Sequence, residues 1–369
     1  MPPLVYSCQT TCLLKQSLIK LIKLIMSRAL DKHVVASLSS GNSHSAYQAI
    51  CGLFTSRSNE SLLELEILGR SHPFPEGCCV LKDGCAVAVS KLALVQAFLV
   101  GRQILRAHID RSAPRKDDEL LAATAVMLLM DPEHLTAANT RKRVIQGRIL
   151  SMGAPDLRIS FEAEKHFLDS LLTSRLHRHT KSPTLWAHLQ WLLGAFTLAG
   201  IPINGLSDIT KVVFIAAERH PRNYYAWSHA RFLARTGLVV PLEDVLRPVT
   251  KWCSQHHTDT SGWSFLYFLL SRIESFNPAG SRLVLEEAVT LVLSLRLSNE
   301  SIWVFLRTLA ASRLVEDEDY SKFISTARSF IETVKLPADH GVLHSALDWC
   351  ETYRAKTPST DAGVTQKDP

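Results

Sequence analysis

The chain reads as an all-α protein, a solenoid of about five antiparallel helix-hairpin repeats, and three observations predict it. Trp186, Trp227, Trp263 and Trp303 stand 41, 36 and 40 residues apart, which is the period of stacked helical hairpins. Each is followed two positions later by a ring (His188, His229, Phe265, Phe305) and then by Leu192-Leu193, Phe232-Leu233, Leu269-Leu270 or Leu309-Ala310. At 3.6 residues per turn these groups return to one buried stripe of a helix, so the four tryptophans are repeat-core residues. Strand signals are almost absent: the β-favouring run Cys85 to Val89 reads equally well as a helix start.

Residues 1–80 are expected to form a poorly ordered N-terminal cap. Leu13, Leu14, Leu18, Ile19, Leu21, Ile22, Leu24 and Ile25 are interleaved with Lys15, Lys20 and Lys23, well short of the roughly 20 uninterrupted apolar residues that span a bilayer. The stretch is either a targeting peptide or a non-native leader before a start at Met26. From Ala36 to Gly77, Ser, Gly and Asn surround one apolar run, Leu62 to Leu68, and the segment ends in the turn-forming Ser71-His72-Pro73-Phe74-Pro75.

Residues 81–355 carry the helical repeats. Val87 to His108 reads as a long amphipathic helix, and Asp117 to Met130 as a second one whose acidic start, Asp117-Asp118-Glu119, favours the helix dipole. Asp131-Pro132 breaks it before a helix from Leu135 to Leu150, where Ala138 stands in the tryptophan position. Pairs then follow at 161–176 with 182–198, 207–219 with 223–235, 242–253 with 260–273, and 281–295 with 298–313. Pro132, Pro183, Pro221 and Pro278 sit at the hinges, where a missing N–H costs little. Residues 356–369, rich in Thr, Asp, Lys and Pro, read as a disordered tail.

With 46% hydrophobic residues the chain can bury a large core or an extended solenoid. Its net charge of +6 is scattered rather than gathered in a basic stripe, which speaks against a nucleic-acid partner. The eight cysteines fall at spacings unlike disulfide frameworks or paired zinc motifs, so a reducing, cytoplasmic setting and no metal site are expected. Cys78, Cys79 and Cys85 are the nearest thing to a cluster. His177-Arg178-His179 and His256-His257 read as solvated inter-helix segments.

The words around each tryptophan narrow the family. His220-Pro221-Arg222-Asn223-Tyr224-Tyr225-Ala226-Trp227-Ser228-His229 closely resembles the P-x-N-Y-x-x-W-x-H phrase of the protein prenyltransferase α-subunit repeat. Lys181 to His188 looks like the preceding unit, and Asn299 to Trp303 like the last one. Asp259 to Trp263 and Leu135 to Ile145 are similar to a divergent member of that family. The likeness spans about Leu120 to Arg313.

That resemblance implies a right-handed α-α superhelix that pairs with a β subunit. The implied function is the α-type subunit of a heterodimeric protein prenyltransferase, which transfers a geranylgeranyl (or farnesyl) group from its diphosphate to a cysteine near the C-terminus of a protein substrate. Cofactors are expected to be absent from this chain, with zinc on the β subunit, favoured as the geranylgeranyl type, and activity only in the complex. Lys181, five residues before Trp186, is the candidate diphosphate ligand, with a solvated helix-start cation as the alternative. Arg222 stands at the same offset before Trp227, and Arg222, Asn223 and Tyr224 are the candidate substrate-binding residues. The pattern also departs from the family: the arginine expected after W-x-H is Leu189 in one unit and Ala230 in the next, and Pro183 replaces a tyrosine. A non-catalytic α-solenoid scaffold that binds a protein partner is the competing reading.

Overall fold

The computed structural model describes residues 42–55, 61–112, 114, 116–238, 241–273, 279–335 and 337–354. The basic stretch at 13–25, Cys8, Cys12, Pro278 and the expected tail at 356–369 lie outside the described residues. The chain divides into two compact units, Met1–Ala199 and Gly200–Pro369.

Among the described residues, the first unit begins with helix α1 (Ser43–Thr55) and strands β1 (Glu64–Leu68), β2 (Val80–Asp83) and β3 (Ala86–Ser90). Strand order is β1-β3-β2, with β1 parallel to β3 from Glu64↔Ala86 to Leu68↔Ser90 and β2 antiparallel to it from Val80↔Val89 to Asp83↔Ala86. Helix α2 (Lys91–Ile109) follows, then the pairs α3 (Asp117–Met130) with α4 (Leu135–Ser151) and α5 (Ala154–Leu172) with α6 (Pro183–Leu198). Gly101 lets α2 approach α3, since a Cβ there would lie 2.9 Å from the Ala123 carbonyl oxygen.

This beginning differs from the sequence expectation. A helix and a strand occupy the region read as a loose cap, and the boundary expected at residue 80 falls at the first residue of β2. The run read as a helix start is strand β3, whose alternating Val87 and Val89 are buried in the two-residue period of a sheet. The helix expected from Val87 therefore begins at Lys91.

The described residues of the second unit form four helix pairs. Helix α7 (205–219) passes through a π-helical stretch at Ile209–Val213 and pairs with α8 (Tyr224–Arg235). Then come α9 (Glu243–Gln255) with α10 (Thr260–Ile273), α11 (Ala279–Leu295) with α12 (Glu300–Ala311), and α13 (Asp317–Thr333) with α14 (Pro337–Arg354). The last pair lies beyond the span read as repeats from the tryptophans. The chain is all-α in character, built from stacked helix hairpins, and within this unit the second helices of successive pairs pack on one another.

Trp186, Trp227, Trp263 and Trp303 are all buried, each no more than 3% exposed. Burying a ring of this size removes 150–250 Å² from water, so each one anchors its hairpin. Around Trp227 the anchor becomes a cluster: Trp252 and Phe265 lie at 4.9 and 5.5 Å, and Phe214 at 6.1 Å. Gly262 makes room for it, because a Cβ there would meet Trp252 Cζ3 at 2.8 Å and Trp227 Cζ2 at 3.1 Å.

Candidate functional site

Helix capping explains much of the repeat phrase. Four residues before each landmark stand His134, Ser182, Asn223, Asp259 and Asn299, and each accepts a hydrogen bond from the backbone N–H three residues on, at 3.2, 3.1, 3.3, 2.9 and 3.3 Å. These are N-caps, which satisfy donors the first helical turn leaves open. Two residues before the cap, at landmark minus six, stands a carbonyl. The indole Nε1 of Trp186, Trp263 and Trp303 donates to it, at Thr180, His257 and Leu297, over 2.8, 3.0 and 2.9 Å. Trp227 departs from this rule: its buried Nε1 makes no hydrogen bond. In that unit Arg222 adopts φ 58° and its N–H donates to Asp259 Oδ2 at 2.6 Å.

The candidate residues take different places on this framework. Lys181 is half-buried in the first unit, at the C-cap of the short turn His177–Thr180 and directly before the Ser182 cap. Just after it, the Ser182 and Thr184 hydroxyls donate to the Glu133 carboxylate. Arg222, Asn223 and Tyr224 lie together in the second unit. Arg222 is exposed and Tyr224 is 66% exposed, edge-on to Tyr225 at 5.5 Å. Asn223 is fully buried, with its side chain engaged as the α8 cap. As the cap it shapes the loop that presents its two neighbours.

The histidine runs are not solvated throughout. His177 is exposed, whereas His179 is buried and its Nε2–H donates to the Leu128 and Leu129 carbonyls at 3.0 and 2.9 Å. Burial pushes its pKa down to about 4. His256 stacks on Trp252 at 4.1 Å, and the His257 carbonyl receives the Trp263 indole. The thiols of Cys78, Cys79 and Cys85 are free. Among the described residues, no group of three His, Cys, Asp or Glu side chains could hold a metal, and no helix is long and apolar enough to cross a membrane.

The sequence reading missed a buried charge cluster that ties four helices. Arg141 on α4 donates Nε and Nη2 to the two carboxylate oxygens of Glu164 on α5, at 2.8 and 2.6 Å, and Nη1 to the Leu121 carbonyl on α3 at 2.6 Å. His188 on α6 places Nε2 3.4 Å from Glu164. Burial alone would raise the Glu164 carboxyl, but the Arg141 guanidinium and then His188 hold it below its ordinary value. Burial lowers His188 to about 4, so it is neutral near pH 7. With its oxygens saturated by Arg141, this carboxylate acts as a tie between helices. A signal was present: Arg141 stands three residues after Ala138, the offset at which the family's arginine follows W-x-H.

The comparisons with known proteins bear on the repeats. The ECM9 middle domain matches residues 185–279, about a quarter of the chain. The human protein prenyltransferase alpha subunit repeat-containing protein 1 is 30% identical over 179 residues, covering 43% of this chain and 41% of that protein. Its zebrafish (Danio rerio) counterpart is 27% identical over 187 residues, covering 45% and 41%. The pig (Sus scrofa) geranylgeranyl transferase type-2 subunit alpha is 26% identical over 181 residues, covering 49% and 30%. The chain thus spans about two fifths or less of the length of these curated relatives. Among solved structures, Candida albicans protein geranylgeranyltransferase-I complexed with GGPP aligns with TM-score 0.42 and 14% identity over 70% of this chain and 78% of that chain. By its repeat phrases and these relatives, the chain is akin to protein prenyltransferase alpha subunits and to the repeat-containing proteins named after them, a likeness that covers less than half of it.

Proposed function

We propose that this chain is the α-type subunit of a two-subunit protein prenyltransferase, working in the cytoplasm with a β subunit of the geranylgeranyl type. The observation that carries the proposal is the folded form of His220 to His229. Its Asn223 cap and buried Trp227 fix a loop that turns Arg222 and Tyr224 outward, toward solvent or a partner. Lys181 is the cation assigned to the isoprenyl diphosphate, where fixed positive charge offsets the negative charge that builds as the diphosphate leaves, and Arg222, Asn223 and Tyr224 are the residues assigned to substrate binding. Zinc, carried by the partner, would supply a lowered thiol pKa for the substrate cysteine. Alone, this chain is expected to be inactive.

A scaffold without prenyl chemistry is favoured by one specific observation. Asn223 is occupied as a cap, which leaves fewer polar groups for substrate than the phrase suggests. Co-expression with geranylgeranyl- and farnesyl-type β subunits separates the two readings. A stable pair that prenylates a peptide with a C-terminal cysteine supports the transferase, and a partner of another kind with no transfer supports the scaffold.

A further inference from the structure

In the second unit three arginines surround one ring. Arg231 and Arg235 lie a turn apart on α8, Phe268 and Arg272 a turn apart on α10, and the three guanidinium carbons stand 5.8, 5.3 and 5.8 Å from the centre of Phe268. Arg231 also lies over Phe265 at 5.9 Å and is held by the Trp227 carbonyl at 3.4 Å and Ser264 Oγ at 2.8 Å. Elsewhere on the surface Arg106, Arg158, Arg282, Arg328 and Arg354 each have a carboxylate partner. Among the described residues no carboxylate pairs with Arg231, Arg235 or Arg272. Three like charges are therefore gathered on one half-buried ring, with no carboxylate partner among the described residues. Burial, and after it the Arg235 charge, lowers the Arg231 pKa below its ordinary value, while Tyr224 opposes that shift.

The surface extends beyond the cluster. Tyr224 lies two turns before Arg231 on α8 and is exposed, so the stripe from Tyr224 to Arg235 runs for about 16 Å at 1.5 Å per residue. That is several times the width of a phosphate or diphosphate. Exposed tyrosine beside arginine is the composition of protein-binding hot spots, and the planar guanidinium fork matches a carboxylate at two points. We propose that this stripe of α8 and α10 docks an acidic segment of a partner protein, whose Asp and Glu carboxylates engage Arg231, Arg235 and Arg272 while an apolar side chain covers Phe268. The inference does not depend on prenyl transfer, because a scaffold would use the same surface.

The test uses the full chain and a fluorescein-labelled, glutamate-rich peptide, with binding read by anisotropy across a salt series. Arg235→Glu with Arg272→Glu is compared with a control of equal charge change on other surfaces, Arg143→Glu with Arg247→Glu. All four arginines are exposed. Binding that weakens by at least about tenfold in the first pair and much less in the control is the expected result, since each lost charged hydrogen bond carries roughly that factor. Should the charge-reversed pair fail to fold by circular dichroism, Arg235→Ala with Arg272→Ala takes its place and predicts a loss in the same direction. Unchanged affinity in the variant, or an equal loss in the control, overturns the proposal. It is equally overturned if inorganic pyrophosphate saturates one site that the variant lacks, or if single-stranded RNA binds more tightly than the peptide.

Discussion

Arg141 grips both carboxylate oxygens of Glu164, at 2.8 and 2.6 Å, and neither side chain is more than 5% exposed. Removing one partner of a buried pair strands the other, at a cost of about 3–5 kcal/mol, whereas replacing both with apolar groups is often near neutral. Glu164→Ala should therefore destabilise the chain by that amount in urea unfolding, and Arg141→Met with Glu164→Leu should recover most of it. A loss below about 1 kcal/mol for Glu164→Ala, the scale of an exposed pair, would remove this tie from the account.

The buried histidines set a pH dependence. His179 and His188 are pushed from an ordinary 6.5 down to about 4, so between those values the unfolded chain binds more protons than the folded one. Stability is thus full above about pH 6.5 and falls as the pH drops toward 4, by up to about 1.4 kcal/mol per pH unit for each histidine. His179→Gln, which keeps a donor for the Leu128 and Leu129 carbonyls, should remove roughly half of the slope these two impose. Urea midpoints at pH 7 and pH 5 read the difference, and an unaltered slope would show that His179 titrates normally.

The indole bonds predict an asymmetry among like substitutions. Trp186→Phe strips the Thr180 carbonyl of its 2.8 Å donor, while Trp227→Phe loses no indole hydrogen bond. Both lose similar ring volume, so Trp186→Phe should cost about 1 kcal/mol more. Thermal or urea unfolding of the two variants checks this, and the reverse order would contradict the assigned capping geometry.

Arg222 offers a way to separate charge from strain. It sits at φ 58°, in the left-handed region that side chains disfavour by roughly 1–2 kcal/mol. Arg222→Gly should be more stable than Arg222→Ala by about 1 kcal/mol. A transferase defect common to both variants, despite that gap in stability, would belong to the lost guanidinium; a defect only in the alanine variant would belong to the backbone.

The helix pairs from Asp117 to Ala311 were legible because tryptophan, cap and aliphatic stripe recur together, and each has a local physical cause. The pair from Asp317 to Arg354 was missed for want of that signal: Trp349 comes 46 residues after Trp303 and lies tilted against Tyr353, ring centres 4.2 Å apart, near the helix end. The sheet was hidden by brevity, since Ala86–Ser90 alternates over five residues and runs straight into a helix. Arg141 was passed over because its unit lacks the tryptophan that draws the eye to it. The capping role of Asn223 was not legible for a different reason: asparagine serves both as a cap and as a polar ligand, and the phrase alone does not show that its side chain is buried against the Ala226 N–H.

The most direct test of the central claim is prenyl transfer by the co-expressed pair, with this chain and a geranylgeranyl-type β subunit purified together and a labelled geranylgeranyl diphosphate as donor. The account predicts a stable heterodimer that labels a cysteine-terminated peptide, inactivity of either chain alone, and a slower rate in Lys181→Ala. Failure to form a complex with any prenyltransferase β subunit, or a complex that transfers nothing, would contradict it.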